Sequence, residues 1–310
     1  MRSSGRSPAC IMLPNPDILV FRARVVAAMR SFFDSRGYVE VETPVRIPAP
    51  ALELHIDAET SGERYLRTSP ELDMKCLLGQ GMPRVYQVGP CFRHGERGRL
   101  HQPEFTMAEW YALGLDYRGL LAETRDLVVS IVVRLESWCP GCTAVSGIDW
   151  HKPWDLLTVA EVYRRHAGWD PCCRYDADRF DLDMVSRIEP ALPRDRGVVL
   201  MDYPVEAAAL ARCRAGDPPV AERWELYLGG IEIANAYGEL TDAVEQRRRF
   251  AETAEARRAA GRPVYPTDER FLAMLDAGLP ACSGIALGLD RLVMVLAGTD
   301  SVQSVRAFCP

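Results

Sequence analysis

Residues 89–111, GPCFRHGERGRLHQPEFTMAEWY, set an arginine-bearing strand, a basic polar loop and a second strand in succession. Alternate residues of a strand share a face, so Phe105, Met107, Glu109 and Tyr111 point one way. A glutamate and a tyrosine on such a face need a cationic partner or solvent, and a ligand ammonium would supply the first. Arg93 precedes a loop carrying Arg97, Arg99 and His101. A planar, always charged guanidinium suits bidentate phosphate contact better than a lysine does. An anion and an amine can therefore meet in one short stretch. A charged surface hairpin has the same composition, so other segments must decide.

Glu222 to Leu240, ERWELYLGGIEIANAYGEL, reads as two strands joined at Gly229-Gly230. Carboxylates held close together repel unless a metal ion or an ammonium group lies between them, and this hairpin carries Glu225, Glu232 and Glu239. Glu225 and Glu232 could bridge Mg²⁺ to nucleotide phosphates. Asn235, Tyr237 and Glu239 alternate on one face and could receive an amine. A solvated hairpin face is the competing explanation. Further on, CSGIALGLDRLVMVLAG is a small-residue strand running into an apolar helix that opens with Asp290 and Arg291. Gly284, Ala286 and Gly288 leave room for a flat ring to lie on the strand, with Arg291 near its phosphates. Tight strand-helix packing would use the same small residues.

The elements that must position these groups are legible in outline. Ile18, Phe21, Val25, Ala28, Met29 and Phe32 recur at helical spacing, predicting a long opening helix closed at Gly37. RYLRTS, a helix from about Pro70 to Gln80 and the strand pair around Arg93 and Glu109 follow, giving an antiparallel sheet. LDYRGLLAETRDLVVSIVVRLESW is a second amphipathic helix, and the Pro-, Trp-, Cys- and Gly-rich run after Trp138 is the best boundary. GVVLMDYP reads as a buried strand and RCRAGDPP as a turn. The expected organisation is a tail at 1–16 and one catalytic domain at 17–310, with an insertion at about 138–195.

The 310-residue chain is 48% apolar and 26% charged, ordinary for a soluble protein with a real core. Its net charge of -6 argues against a global basic field that holds nucleic acid. The first 16 residues lack a signal-peptide core, and the longest apolar run is interrupted by Ser130 and Arg134, so a cytoplasmic protein with no membrane segment is expected. Ten cysteines are too dilute for a disulfide scaffold. Cys139 and Cys142 could join Cys172 and Cys173 in a zinc site if the chain folds back; incidental thiols in loops are the simpler reading.

Together these segments resemble the class II aminoacyl-tRNA synthetase catalytic core, in its lysine branch, over roughly residues 17–300. The opening helix with RGYVEVETP looks like the dimer-forming first motif, FRHGERGRLHQPEF like the second and GIALGLDR like the third. TSPELDMK, PEFTMAEWY and EIANAYGELTD are similar to the lysine-branch signature. The resemblance implies an α+β fold, an antiparallel sheet flanked by helices, and a homodimer using ATP and Mg²⁺. It implies ATP contacts at Arg93, His94, Gly95, Glu96, His101, Gln102, Phe105, Glu232, Ile233, Gly288 and Arg291. Within that set Arg93 would act on the α-phosphate and Arg291 on the γ-phosphate, with Phe105 stacked on adenine. Mg²⁺ would sit on Glu225 and Glu232. A lysine-type substrate would be held by Ser69, Pro70, Glu71, Glu109, Tyr111, Asn235, Tyr237, Glu239 and Ala286.

About 16 residues precede the core helix, leaving no room for the anticodon-binding barrel of lysyl-tRNA synthetases, so tRNA is not the expected partner. This compact arrangement is similar to the EpmA family (GenX, PoxA, YjeA), synthetase paralogues that attach (R)-β-lysine to a lysine of translation elongation factor P. That factor is then the implied acceptor. Ala286 points the same way, since lysyl-tRNA synthetases usually have Gly there and the paralogues Ala. A free-standing ligase charging RNA or a carrier protein, and a silent regulatory paralogue, are the alternatives. The second motif departs from the usual Arg-Asn-Glu: the order here is Arg93-His94-Gly95-Glu96, and Gln102 stands where Asn is usual. Either Glu96 reads adenine along a different loop path, or backbone groups do.

Overall fold

The computed structural model describes residues 15–308, so nearly all of the expected tail lies outside the described residues. Helix α1 (Pro16–Ser35) begins slightly before the apolar periodicity does, because Asn15 accepts the Asp17 N–H and Pro16 occupies the first helical position. Phe21, Val25, Ala28, Met29 and Phe32, whose spacing predicted the helix, are buried, as is Phe33; Ile18 is half-buried.

The chain continues through β1 (Val39–Glu40), β2 (Arg46–Ile47), β3 (Thr60–Ser61), β4 (Arg64–Leu66), α2 (Glu71–Gly79), β5 (Arg84–Phe92), β6 (Glu104–Leu113) and α3 (Tyr117–Trp138). Next come β7 (Asp155–Thr158), α4 (Val159–His166), α5 (Ala177–Asp183), β8 (Gly197–Pro204), β9 (Cys213–Arg214), β10 (Val220–Leu228) and β11 (Ile231–Gly238). Helices α6 (Ala243–Ala259) and α7 (Glu269–Ala277), strand β12 (Cys282–Gly288) and helix α8 (Leu289–Leu296) complete it.

The main sheet runs β1-β5-β6-β12-β11-β10-β8-β7, antiparallel from β5 to β8, with parallel strands added at both edges. Strands β2, β4 and β3 form a small separate sheet. The antiparallel core agrees with the expected α+β class. The Gly229-Gly230 turn has φ of 62° and 78°, left-handed values that glycine adopts without strain and that a two-residue hairpin demands.

One face of the central strands is core. Ala108, Trp110 and Ala112 of β6, Ile285 and Leu287 of β12, and Ala234 and Ala236 of β11 pack with the apolar stripes of α1 and α3. The residues between them, Glu109, Tyr111, Ala286 and Asn235, occupy the other face.

Residues 139–196 return to this sheet through β7, a strand absent from the sequence reading, which pairs parallel with the expected strand β8. Val159, Val162, Tyr163, Phe180 and Ile188 then form a cluster with Val198, Leu200 and Tyr227. The RCRAGDPP turn likewise contains β9, paired with β10. Among the described residues no helix is long and apolar enough to cross a membrane.

Candidate active site

The strand register sorts the polar residues into rows. Glu225, Asn235, Ala286, Glu109 and Gln87 are successive cross-strand partners, and the next row is Arg223, Tyr237, Gly284, Tyr111 and Val85. These rows lie on the face bounding a cavity of about 1000 Å³. Gly284 is required by close approach: a Cβ there would stand 2.1 Å from the Tyr111 ring and 2.5 Å from Glu239 Oε1.

The cavity floor is built from α2 and the ends of β6 and β11. Ser69 accepts the Glu71 N–H at 3.0 Å and donates its hydroxyl to Glu109 at 2.7 Å, while Tyr111 donates to the other Glu109 oxygen at 2.8 Å. Burial first, then the charge of Glu71, pushes Glu109 up to about 7. Glu239 is fully buried. Burial pushes it up to about 8 although Lys75 opposes the shift. Lys75 itself is 1% exposed, and its Nζ lies 2.5 Å from both Glu71 Oε1 and Glu239 Oε2. Burial disfavours its charge, yet the two carboxylates outweigh that and keep it an ammonium. Glu239 Oε1 and Asn235 Oδ1 are buried without a hydrogen-bond partner among the described residues. These are acceptors that an amine can fill.

Two arginines form the neck of the cavity. The Arg93 guanidinium lies 5.2 Å from the Phe105 ring centroid and 3.8 Å from Glu96. Arg291, at the start of α8, donates to the Leu100 and Glu232 carbonyls, pairs with the Glu232 carboxylate at 3.2 Å and meets His101 Nε2 at 2.6 Å. A guanidinium has only donors, so Nε2 of His101 accepts. Burial and Arg291 hold this imidazole below its usual pKa, in its neutral form. Next to Arg291, Asp290 anchors α8 by pairing with Arg22 and Arg306 and accepting the Thr106 N–H.

Glu225 accepts from Arg223 at 2.6 Å and from Tyr227 at 2.8 Å. Burial and the charge of Glu225 raise Glu232. Arg223 also lies over the Tyr203 ring at 4.5 Å. Above the cavity, Glu53 sits on a loop fastened by the wholly buried Arg257, which donates to the carbonyls of Glu53, Leu54, Ile56 and Pro263 and pairs with Asp57.

Of the residues singled out in the sequence, the cavity wall brings together Glu71, Arg93, Glu96, His101, Gln102, Phe105, Tyr111, Glu225, Glu232, Ile233, Asn235, Tyr237, Glu239, Ala286, Gly288 and Arg291. Five lie off that wall. Ser69 and Glu109 stand behind it as hydrogen-bonded supports, and Pro70 caps α2. His94 turns outward to pair with Glu59 at 3.0 Å. It does so because Gly95 takes φ 76°, which carries the chain round and leaves Glu96 on the cavity side.

Lys75, Arg223, Glu53 and Glu189 were missed. The first two carried a signal: Lys75 stands four residues after Glu71 on a helix, and Arg223 shares a strand face with Glu225. Glu53 lies in a loop and Glu189 opens a three-residue 3-10 turn, neither with a periodicity to mark it. Among the described residues no group of three or more His, Cys, Asp or Glu is arranged to hold a metal, so the four cysteines do not form a zinc site. Cys139, Cys142, Cys172 and Cys173 are all free thiols.

An antiparallel sheet with an arginine-lined neck and an acidic floor is the catalytic core of a class II synthetase. The family model for class II tRNA synthetases (D, K and N) matches residues 14–310, and the chain belongs to this family. It is 37% identical to an elongation factor P–(R)-β-lysine ligase of Proteus mirabilis, with 94% of each chain covered. It is similarly 37% identical to a ligase of that name from Klebsiella pneumoniae over 95% of each chain, and 35% identical to one from Avibacterium paragallinarum over 94% of each.

Proposed function

We propose that this protein is an ATP-dependent ligase that activates (R)-β-lysine, or a closely related diamino acid, and transfers it to a lysine side chain of elongation factor P in the cytoplasm. The observation that carries the reading is one cavity joining unpartnered buried acceptors for an amine to two arginines for phosphate. The names of the relatives support the substrate and the acceptor.

In the first step a carboxylate oxygen of the amino acid attacks the α-phosphorus of ATP. The bond to the bridging oxygen breaks, pyrophosphate leaves and an acyl-adenylate forms. We assign Arg93 to the α-phosphate, where a fixed guanidinium stabilises charge as it develops, and Arg291 to the γ-phosphate. Phe105 offers a face for adenine, and His101 orients Arg291. In the second step the neutral ε-amine of the acceptor lysine attacks the acyl carbon, AMP departs with the bonding pair, and the nitrogen loses a proton to give an amide. No side-chain nucleophile is required.

Glu225 and Glu232 would hold a Mg²⁺ ion: each has one arginine partner and lone pairs to spare, and burial with the charge of Glu225 raises Glu232. The ion would supply neutralisation of phosphate charge. A homodimer through the first motif belongs to the same reading.

The test is amino-acid-dependent ATP-pyrophosphate exchange with α-lysine, (R)-β-lysine and ornithine. Exchange favouring (R)-β-lysine and lost in Arg93→Ala is expected, followed by AMP-forming transfer to elongation factor P. Absence of exchange with every amine would overturn the activation step, and exchange without transfer would overturn the acceptor.

A further inference from the structure

Lysine is among the residues least often fully buried, and a buried ammonium persists only when it is paired. Lys75 sits beneath the cavity floor, one helical turn after Glu71, and the function proposed above assigns it nothing. Its Nζ touches one oxygen of Glu71 and one of Glu239, so these oxygens lie within twice 2.5 Å of each other. The partner carboxylates come from separate elements, α2 and the segment following β11. Glu239 Oε1 is left buried and unpartnered on the cavity wall.

Two carboxylates nearer the arginines are served differently. Glu225 pairs with Arg223 and Glu232 with Arg291, one to one. On the floor one ammonium serves two carboxylates, and Glu109 stands behind them, bound to Ser69 and Tyr111. Arg67, the other buried cation close by, spends its donors on the Pro90 carbonyl and on the carbonyl and hydroxyl of Thr43. Without Lys75, two buried carboxylates at this separation would repel, and a proton taken up by one would convert an acceptor into a donor facing the cavity.

We propose that Lys75 is a positioning residue for the substrate's side-chain ammonium: it draws Glu71 and Glu239 together, occupies one oxygen of each, and leaves the remaining oxygens to accept from the ligand. This inference rests on the diamino-acid activation proposed above. Lys75 touches neither substrate in this arrangement; it acts through the two glutamates.

The experiment compares wild type, Lys75→Met and Lys75→Ala in pyrophosphate exchange, varying diamino acid and ATP separately. Lys75→Met, which keeps the aliphatic volume, is expected to raise KM for the diamino acid at least tenfold, with kcat falling less than threefold and KM for ATP unchanged. Lys75→Ala is expected to recover the lost affinity on adding n-propylammonium, and not on adding n-propanol. A folded Lys75→Met with wild-type KM for the diamino acid overturns the proposal. So does an equal rise in both KM values, which marks a merely structural role, or rescue by propanol. If Lys75→Ala does not fold, the Lys75→Met comparison decides alone. A wild-type enzyme without exchange would overturn the activation reading first, and this inference with it.

Discussion

Gly284 shows how little freedom the residues of this site have. A methyl group there would stand 2.1 Å from the Tyr111 ring and 2.5 Å from Glu239. Gly284→Ala is therefore expected to displace both and to raise KM for the diamino acid more than tenfold, while denaturant unfolding reports an intact fold. The floor carboxylates carry a pH dependence with opposite signs for binding and stability. Glu109, pushed up to about 7, and Glu239, pushed up to about 8, take up protons across the neutral range in competition with an ammonium ligand. KM for the diamino acid is expected to rise as pH falls from 8 to 6, with KM for ATP flatter across that range. For folding, these carboxylates bind protons more tightly in the native state. Their stabilisation is whole below the ordinary value of 4.5 and is lost as pH rises through 7 and 8. For Glu109 alone the difference is about 3 kcal/mol. The Tm of the free protein is expected to fall between pH 6 and 9, and to fall less with saturating ligand, as calorimetry would show. Glu109, Tyr111, Asn235 and Glu239 were legible in the sequence because a strand's alternation exposes polar intruders. Lys75 was not, because a lysine in a helix ordinarily means solvent and only its spacing from Glu71 says otherwise.

Single elements hold these residues at their working distances. Arg257 of α6 fastens the loop of residues 53–57 over the cavity with bonds to three of its carbonyls and an ion pair to Asp57, and also binds the Pro263 carbonyl. Arg257→Met would strip those acceptors of a buried partner. It is expected to cost about 3 kcal/mol or more in denaturant unfolding and to raise KM for ATP as the roof loosens; a variant as stable as the parent would refute that role. Amphipathic helices and the Gly-Gly hairpin could be read from periodicity and turn chemistry, as α1, α3 and the β10-β11 pair illustrate. Strand β7 escaped because its four residues, DLLT, are too few to show alternation, and their strand character comes from pairing with β8. The fastening of the roof loop was equally hidden, since Arg257 lies about 200 positions from the loop carbonyls it binds.

For the molecule as a whole, the homodimer proposed above sets the test. Val20 on α1 and Val39 on the edge strand β1 are 47% and 49% exposed, apolar surface within the first motif. Light scattering is expected to give twice the 34.6 kDa chain mass, and Val39→Glu to shift the population toward monomer; a wild-type monomer at micromolar concentration would refute the dimer. The alternation of β6, β11 and β12 has a consequence for how this chain can diverge. Trp110 and Ile285 face the core while their neighbours Glu109 and Ala286 lie on the opposite face, toward the cavity side. Losing a single codon in these strands would exchange the two sets, placing an acid among apolar side chains and an indole in the pocket. Lineages descending from this gene can therefore change the letters of these strands but not their number, and insertions and deletions must collect elsewhere, above all in residues 139–196.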